Sequence, residues 1–438
     1  MRQYLFVLIA LVTLCFSAPA QEKETIKIAV CGPFTGGGAD FGRMIAKGVD
    51  LKVKEINAAG GINGQKVEWE QLDDASDPNQ ASTIAQKAAD NNKYCSVIGH
   101  FNSTCSLAAK PIYRRAGIVS LSPGSTNVDV CQGSDWFFRN LYRDDFQGQY
   151  VASYIAKILK LKKVAVIYDN DDYGKGLKNH FKNEAKNLGL ELVAEEAYNR
   201  DGNLDFNGIV TKIKSKKPDI VFVSGLYSEA AKIAKLLGRK KVKAGVIGGD
   251  GVFSPKFIEL AKDAAEGTFI ITPYVNDVSS SSKIAEFSKK FKAANKGEEP
   301  DAWAALSYDA MGTLAQVIAK VGTDRKAIRQ GLAAIRSENE AYDGVTGLTY
   351  FDKNGDCVKP AIVATVTDGK FAKAKKQLSG SVEEDGHAGH NHGDHDGHDH
   401  GDHTGHDHGE KKQGNGLLIL IGIIAVVILI LVIKKPKS

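Results

Sequence analysis

Two clusters of small hydroxyl residues follow short apolar runs of this 438-residue chain. They lie in VIGHFNSTCS, residues 97–106, and in IVSLSPGSTNVD, residues 118–129, and they include Ser103 and Thr126. Hydroxyl groups, together with the free N–H groups at the start of a helix, bind small anions such as a carboxylate. We expect each cluster to lie between the end of a buried strand and a helix, so the two together can hold one carboxylate. Helix capping alone is the alternative, because Ser and Thr are common caps.

Strands and helices alternate from Thr25 onward, and this order must position the two clusters. Apolar runs such as TIKIAVCG, CSVIGH and PDIVFVSG indicate buried strands, and stretches with helical spacing separate them. This alternation is typical of parallel sheets covered by helices, in which ligands bind beyond the carboxyl ends of the strands. A second series begins near Asp144, so we expect an α/β protein with two lobes. The run GLTYFDKNGDCVKPAIVATV predicts a hairpin that turns at Asn354-Gly355.

Composition and motifs speak against nucleic-acid binding and against catalysis. The 57 Lys and Arg residues exceed the 52 Asp and Glu residues only slightly, and no basic patch with interleaved aromatic residues occurs. The glycine-rich run GPFTGGGADFG lacks the Lys-Ser/Thr of a phosphate-binding loop. No G-x-S-x-G nucleophile motif is present either. We therefore expect no enzyme activity, no nucleic-acid partner and no required cofactor.

The first twenty residues have the features of a secretory signal peptide. Arg2 supplies a positive start, residues 4–16 form an apolar core, and residues 17–20, SAPA, offer a cleavage site. The mature protein is therefore expected in an oxidising space outside the cytoplasm. Disulfides form in such a space, and Cys105 with Cys131 is the expected pair because both follow strand ends near the hydroxyl clusters.

The carboxyl-terminal part has a different composition from the rest of the chain. Residues 379–416 are rich in His, Asp and Gly and cannot form a core, so we expect a disordered linker. Residues 417–433, LLILIGIIAVVILILVI, carry no charge and have the length of a short transmembrane helix. Lysines in residues 434–438 mark the cytoplasmic side. These features predict a single-pass protein of the cell membrane, with the folded part in the periplasm or outside the cell.

Closely spaced histidines in the linker can bind a transition metal. Imidazole nitrogens separated by one residue and flanked by aspartates suit Zn²⁺, Ni²⁺ or Cu²⁺. The candidate metal ligands are His390, His392, His398, His400, His406 and His408. A solvated spacer without a metal role is the alternative interpretation.

Several motifs together resemble the leucine/isoleucine/valine-binding group of type I periplasmic binding proteins, which serve ABC transporters. They are IKIAVCGPFTGGGADFG, INAAGGINGQKVEWEQLDDASDPNQA, VIGHFNSTCS, LSPGSTN, VAVIYDNDDYGKGL, GGDGV and GLTYFDKNGD. The resemblance implies an α/β fold of two lobes, each a parallel sheet flanked by helices, that close over a ligand. It places the ligand-binding domain at 21–378, with one lobe at about 25–143 and 274–350 and the other at about 144–273 and 351–378.

The resemblance also implies roles for individual residues. Ser103 and Thr126 would hold the ligand's α-carboxylate and ammonium, helped by the backbone near Asn102 and Gly124. From the other lobe, Tyr173 would close on the ligand. The further positions that the resemblance implies are Asp250 for the ammonium, Phe41 and Trp303 for the side-chain pocket, and Leu226 or Tyr227 where the family often has a tyrosine.

Two departures from the family pattern bear on the ligand. The disulfide of the best-known members is absent, because Ser76 and Asn102 stand at its two positions. Asp250 is shorter than the family's usual glutamate, which leaves open whether the ligand is a branched-chain amino acid.

The expected function is capture of an amino acid outside the cytoplasm and its delivery to an ABC transporter permease, with the chain anchored in the membrane at its carboxyl end. One alternative is a ligand-sensing ectodomain that works with a separate signalling partner. A second is a metal-responsive uptake protein that uses the histidine-rich linker.

Overall fold

The computed structural model describes residues 24–200 and 205–378. The expected signal peptide, histidine-rich linker and membrane span lie outside these residues. Within them, no helix is long and apolar enough to cross a bilayer.

The first sheet is entirely parallel and has five strands in the order β2-β1-β3-β4-β5. Every residue of β3 is buried, as expected for a sheet that is covered on both faces. The strands are β1 Ile26–Gly32, β2 Val67–Asp73, β3 Tyr94–Ile98, β4 Ser120–Ser122 and β5 Phe137–Arg139.

The second sheet has seven strands in the order β14-β13-β10-β9-β8-β6-β7. Its members β6 to β10 pair in parallel, whereas β13 pairs antiparallel with both β10 and β14. The strands are β6 Lys163–Asp169, β7 Glu191–Tyr198, β8 Ile220–Ser224, β9 Gly245–Gly248, β10 Phe269–Thr272, β13 Ile362–Thr367 and β14 Lys370–Lys373. The two sheets confirm the expected α/β fold with two lobes.

The helices begin and end at local signals that the sequence carries. Asp77 caps one helix by accepting the N–H groups of Asn79 and Gln80, and proline follows it directly. The helices are α1 Ala39–Ala58, α2 Pro78–Asp90, α3 Ser103–Ala116, α4 Asp144–Ser153, α5 Asp172–Asn187, α6 Phe206–Lys216, α7 Tyr227–Arg239, α8 Pro255–Ala261, α9 Ser282–Ala294, α10 Ala302–Val321 and α11 Arg325–Ala333.

The hairpin predicted around Asn354-Gly355 is only partly right. The tight turn is present, because the Asp352 carboxylate accepts the N–H of Asn354 and Gly355 adopts a φ of 89°. However, the strand before the turn, β12 (Gly347–Thr349), pairs with β11 (Tyr342–Gly344). The strand after the turn, β13, joins the second sheet instead. Phe351 and Cys357 form the one bridge across the turn.

The expected disulfide is wrong, because Cys105 and Cys131 are both buried free thiols. Cys131 lies beside Arg139 in an apolar cluster of the first lobe, whereas Cys105, in α3, lies near the charges of Asp74 and Arg200. The two cysteines therefore share a lobe but have different neighbours. Cys31, Cys95 and Cys357 are also buried free thiols.

A buried lysine holds the chain where it passes between the two sheets after β12. The ammonium of Lys359 is 1% exposed and donates to the Thr346 hydroxyl, the Gly347 carbonyl and the Thr349 hydroxyl. The carboxylate of Asp309 accepts the N–H and the hydroxyl of Thr346. Together these bonds fix β12 against α10.

We expect Lys359→Met to lower the free energy of unfolding by about 3 kcal/mol, because buried oxygen acceptors and Asp309 would lose their cation. Urea unfolding followed by circular dichroism measures this. The exposed Lys353, in the neighbouring turn, provides the control Lys353→Met. A loss for Lys359→Met no larger than that of the control would contradict a structural role for this ammonium.

Candidate functional site

A narrow cleft lies between the carboxyl ends of the two sheets. Its volume is about 250 Å³. The lining residues are Phe101, Asn102, Ser103, Gly124, Tyr173, Leu226, Asp250, Gly251 and Trp303. The cleft is therefore a small, narrow slot.

Seven of the ten residues expected at the site line this cleft, and three lie just behind it. Leu226 lines the cleft, whereas its neighbour Tyr227 points to the ring of Phe41, with ring centroids 4.9 Å apart. Phe41 in turn stacks on Phe101 at 4.3 Å. The third residue behind the surface is Thr126, whose hydroxyl lies beside the carboxyl of Asp144.

The start of α3 forms the polar end of the cleft on the first lobe. Asn102 is the N-cap of the helix and Ser103 its first residue, as the sequence predicts. The side chain of Asn102 makes no capping bond, and its buried Oδ1 has no hydrogen-bond partner within the described residues. Free N–H groups at a helix start favour an anion, so this end suits a carboxylate.

The second hydroxyl cluster does not precede a helix, which corrects the expectation from the sequence. Residues 123–136 form turns, and the Ser122 hydroxyl accepts the N–H of Gly124 at 3.2 Å and that of Ser125 at 2.9 Å. The Ser125 hydroxyl donates to the Phe101 carbonyl at 2.9 Å. These hydroxyls therefore fold the loop and join it to the start of α3, and only the first cluster has the helix dipole.

Gly124 is required by a close approach of the loop to the aromatic wall of the cleft. A Cβ at this position would overlap the ring of Phe101. Phe101 also meets the indole of Trp303 edge-on, with centroids 4.8 Å apart. The wall is rigid because each ring is held by another ring. Phe101 was missed from the sequence, although it directly precedes the predicted Asn102.

Asp250 forms the acidic end of the cleft on the second lobe. Its Oδ1 accepts the hydroxyl of Tyr173 at 2.7 Å, and that hydroxyl accepts the N–H of Gly251 at 3.1 Å. Its buried Oδ2 has no hydrogen-bond partner within the described residues. Burial raises the pKa of Asp250 to about 6, and the hydrogen bond from Tyr173 opposes this rise.

Two residues that sequence reasoning missed support Asp250 from behind. The side-chain oxygen of Gln147 accepts the N–H of Asp250 at 2.7 Å, and its NH₂ group donates to Asp144 at 3.2 Å. Asp144 is fully buried; burial and the nearby charge of Asp250 raise its pKa well above the usual range. Both residues lie in the first turn of α4, where acidic and amide side chains commonly have only a capping role, so no separate signal marks them in the sequence.

The described residues contain no group of three or more His, Cys, Asp or Glu side chains that could hold a metal ion. The histidines proposed as metal ligands, His390 to His408, lie outside these residues. A carboxylate-binding end, an acidic end and an aromatic wall instead match a zwitterion with an apolar side chain.

Hydrogen bonds also join the lobes at the edges of the cleft. The Tyr227 hydroxyl donates to the Gly37 carbonyl at 3.0 Å, and the Trp303 indole donates to the Phe253 carbonyl at 2.8 Å. The Ser254 hydroxyl donates to the carboxylate of Asp40 at 2.5 Å. The two lobes are therefore in a closed arrangement.

Comparison with known proteins gives consistent matches. The periplasmic binding protein family model matches residues 25–370. The Leu/Ile/Val-binding protein homolog 1 of Brucella suis is 36% identical over 366 residues, which cover 83% of this chain and 95% of that protein. The leucine-, isoleucine-, valine-, threonine- and alanine-binding protein of Pseudomonas aeruginosa is 30% identical, covering 78% and 89% of the two chains.

A solved structure agrees with these sequence matches. The branched-chain amino acid transporter substrate binding protein of Streptococcus pneumoniae, in complex with isoleucine, superposes with a TM-score of 0.74 at 32% identity. The match covers 80% of this chain and 98% of that one. The resemblance that the motifs indicate is therefore confirmed over the whole two-lobed body.

The raised pKa of Asp250 predicts a pH-dependent gain in stability for Asp250→Asn in the ligand-free protein. The folded pKa of about 6 exceeds the ordinary value of 3.8, so the native state binds more protons and the wild type loses stability as the pH rises between these values. At pH 7.5 the variant should be more stable by about 2–3 kcal/mol, and near pH 4 by close to nothing.

Urea unfolding at both pH values tests this, with the exposed Asp263→Asn as the control. An equal effect of Asp250→Asn at pH 4 and pH 7.5 would contradict a buried, ionised Asp250.

Proposed function

We propose that this chain, which belongs to the periplasmic binding protein family, captures an amino acid in the cleft between its lobes and delivers it to an ABC transporter permease. The single observation that carries the proposal is Asp250, a buried carboxylate that lines the cleft and whose Oδ2 has no hydrogen-bond partner within the described residues, opposite the N-terminus of a helix on the other lobe. An α-ammonium and an α-carboxylate satisfy both ends at once.

The carboxylate end of the ligand would lie against α3. Ser103 and the N–H groups that follow Asn102 supply donors without a net charge, and Gly124 leaves space for close approach. Thr126 would act from behind, because its hydroxyl lies beside Asp144 and does not line the cleft.

The ammonium end would lie against the second lobe. The hydroxyl of Tyr173 and the side chain of Gln147 hold Asp250 in one orientation, so the free Oδ2 is already placed for a cation. Ion pairing with an ammonium offsets the cost of keeping this carboxylate charged in a buried site.

The side chain of the ligand would contact Phe101, Trp303 and Leu226. These residues offer only apolar carbon to the slot, apart from an indole N–H already bonded to Phe253. An aliphatic side chain suits this wall, and relatives named for leucine, isoleucine and valine support a branched-chain or similar amino acid. No cofactor takes part in this binding.

The two lobes would capture the ligand by closing over it. The ligand would bind first to the lobe of α3, and Tyr173 and Asp250 would arrive from the other lobe as the connecting segments bend. A permease can then distinguish loaded from empty protein by the relative position of the two lobes.

We also propose that the chain is held at the membrane. Residues 1–20 would be removed on export, residues 379–416 would form the linker, and residues 417–433 would span the bilayer with 434–438 in the cytoplasm. Such a tether keeps the binding domain at high effective concentration near its permease.

Titration calorimetry with leucine, isoleucine, valine, alanine and threonine tests the binding function. At least one should bind, whereas 4-methylpentanoate, which lacks the ammonium, and leucinamide, which lacks the carboxylate, should bind at least about 100-fold more weakly. Asp250→Ala should lose a similar factor, because it leaves the ammonium unpaired, and the exposed Asp263→Ala should not. Equal binding of leucine and 4-methylpentanoate would contradict the assigned role of Asp250.

Cell fractionation tests the tether. The full chain should sediment with membranes and resist a carbonate wash, because a spanning helix is released only by detergent. A version that ends at Leu378 should appear in the soluble extracytoplasmic fraction. Recovery of the full chain in that same soluble fraction would show that residues 417–433 do not anchor it.

A further inference from the structure

The backbone of one residue of the second lobe is held by two hydrogen bonds from the first lobe. The N–H of Asp172 donates to the hydroxyl of Thr104 at 3.2 Å. The carbonyl of the same residue accepts the side-chain amide of Asn127 at 2.7 Å. Asp172 is the first residue of α5.

The two side chains that make these bonds directly follow the two proposed ligand residues of the first lobe. Thr104 comes after Ser103 at the start of α3, and Asn127 comes after Thr126 in the loop that follows β4. The N–H of Asn127 also donates to the hydroxyl of Ser103 at 3.2 Å. A ligand that positions Ser103 therefore also positions its neighbour Thr104 and, through this bond, Asn127.

On the other side, Asp172 directly precedes Tyr173, which holds Asp250. The start of α5 is rigid, because the Asp171 side chain caps it by accepting the N–H of Gly174 at 2.8 Å. One turn later, α5 passes so close to Asn127 that a Cβ on Gly176 would lie 2.7 Å from its amide nitrogen. The contact between Asn127 and α5 is thus close along the helix and not limited to one bond.

We propose that Thr104 and Asn127 form a latch on Asp172 that stabilises the closed state and slows ligand release. This inference rests on the proposed function, because it assumes that a ligand binds at Ser103. Thr104 and Asn127 are positioning residues: neither lines the cleft. They join the lobe that binds the ligand first to the helix that carries Tyr173.

The latch acts on the dissociation rate more than on the association rate. Both bonds form only when the lobes are closed, after the ligand has met the open lobe. In the open state, water replaces them, so removing them raises the free energy of the closed state alone. Affinity changes of this kind appear mainly in the dissociation rate.

Stopped-flow fluorescence of Trp303 in the purified full chain tests the latch, with the amino acid that binds best as the probe. We expect Thr104→Val and Asn127→Ala each to speed dissociation about five- to tenfold, and the double variant about 50-fold, with association within about twofold of wild type. Thr104→Ser keeps the hydroxyl and should dissociate at nearly the wild-type rate. The exposed Thr83→Val and Asn187→Ala are the matched controls.

Unchanged dissociation in the double variant would overturn the latch, as would equal effects of Thr104→Ser and Thr104→Val. If the wild type binds none of the amino acids, the proposed function fails and the latch is tested without ligand. Spin labels on Gln86→Cys in α2 and Lys212→Cys in α6 then report the distance between the lobes by pulsed electron resonance. Longer distances in the double variant would support the latch, and identical distributions would overturn it.

Discussion

The buried carboxylate of Asp250 is the constraint around which the second lobe is arranged. A carboxylate in a low-dielectric site is costly unless a cation or several donors accompany it. Here the hydroxyl of Tyr173 donates a hydrogen bond to one oxygen of Asp250. A second buried carboxylate, Asp144, makes ionisation of Asp250 still less favourable. The packing of α4 and α5 beside Asp250 must therefore supply the free energy that keeps this acid in place. A site that is unfavourable when empty is one that gains most when a cation enters it.

The loop that follows β4 connects this binding chemistry to the segments that join the lobes. Arg139, which is fully buried at the end of β5, donates to the Ser125 carbonyl at 2.9 Å and forms an ion pair with Asp356 at 2.7 Å. Asp356 lies in the last connection between the lobes and also pairs with Arg143, in the first connection, at 3.1 Å. One loop thus contacts the cleft and α5, and Arg139 joins it to the first and last connections between the lobes. A shift of the loop would therefore move segments that bend when the lobes open.

The sequence predicts the parts of this structure that depend on local pattern. Buried strands and the strand-end positions of Ser103 and Asp250 follow from apolar runs and from the residue types that end them. The predictions that failed depended on tertiary contacts. SPGST has the residue types of a helix start, but the Ser122 hydroxyl closes a turn instead. Cys105 and Cys131 share a lobe but remain free thiols. Asp144 and Gln147 were missed because only tertiary packing brings α4 behind Asp250.

Charge and shape have separate roles in selecting the ligand. In the proposed function, a helix start and one carboxylate would recognise the backbone atoms that all amino acids share. Selection among amino acids would then depend on the wall of Phe101 and Trp303, whose rings cannot move independently because Phe41 stacks behind one and meets the other edge-on. Close-packed rings tolerate little change in volume. The absence of a side chain at Gly124 lets Phe101 lie close to the start of α3. In the proposed function, this glycine and this ring would together limit the length of the ligand side chain.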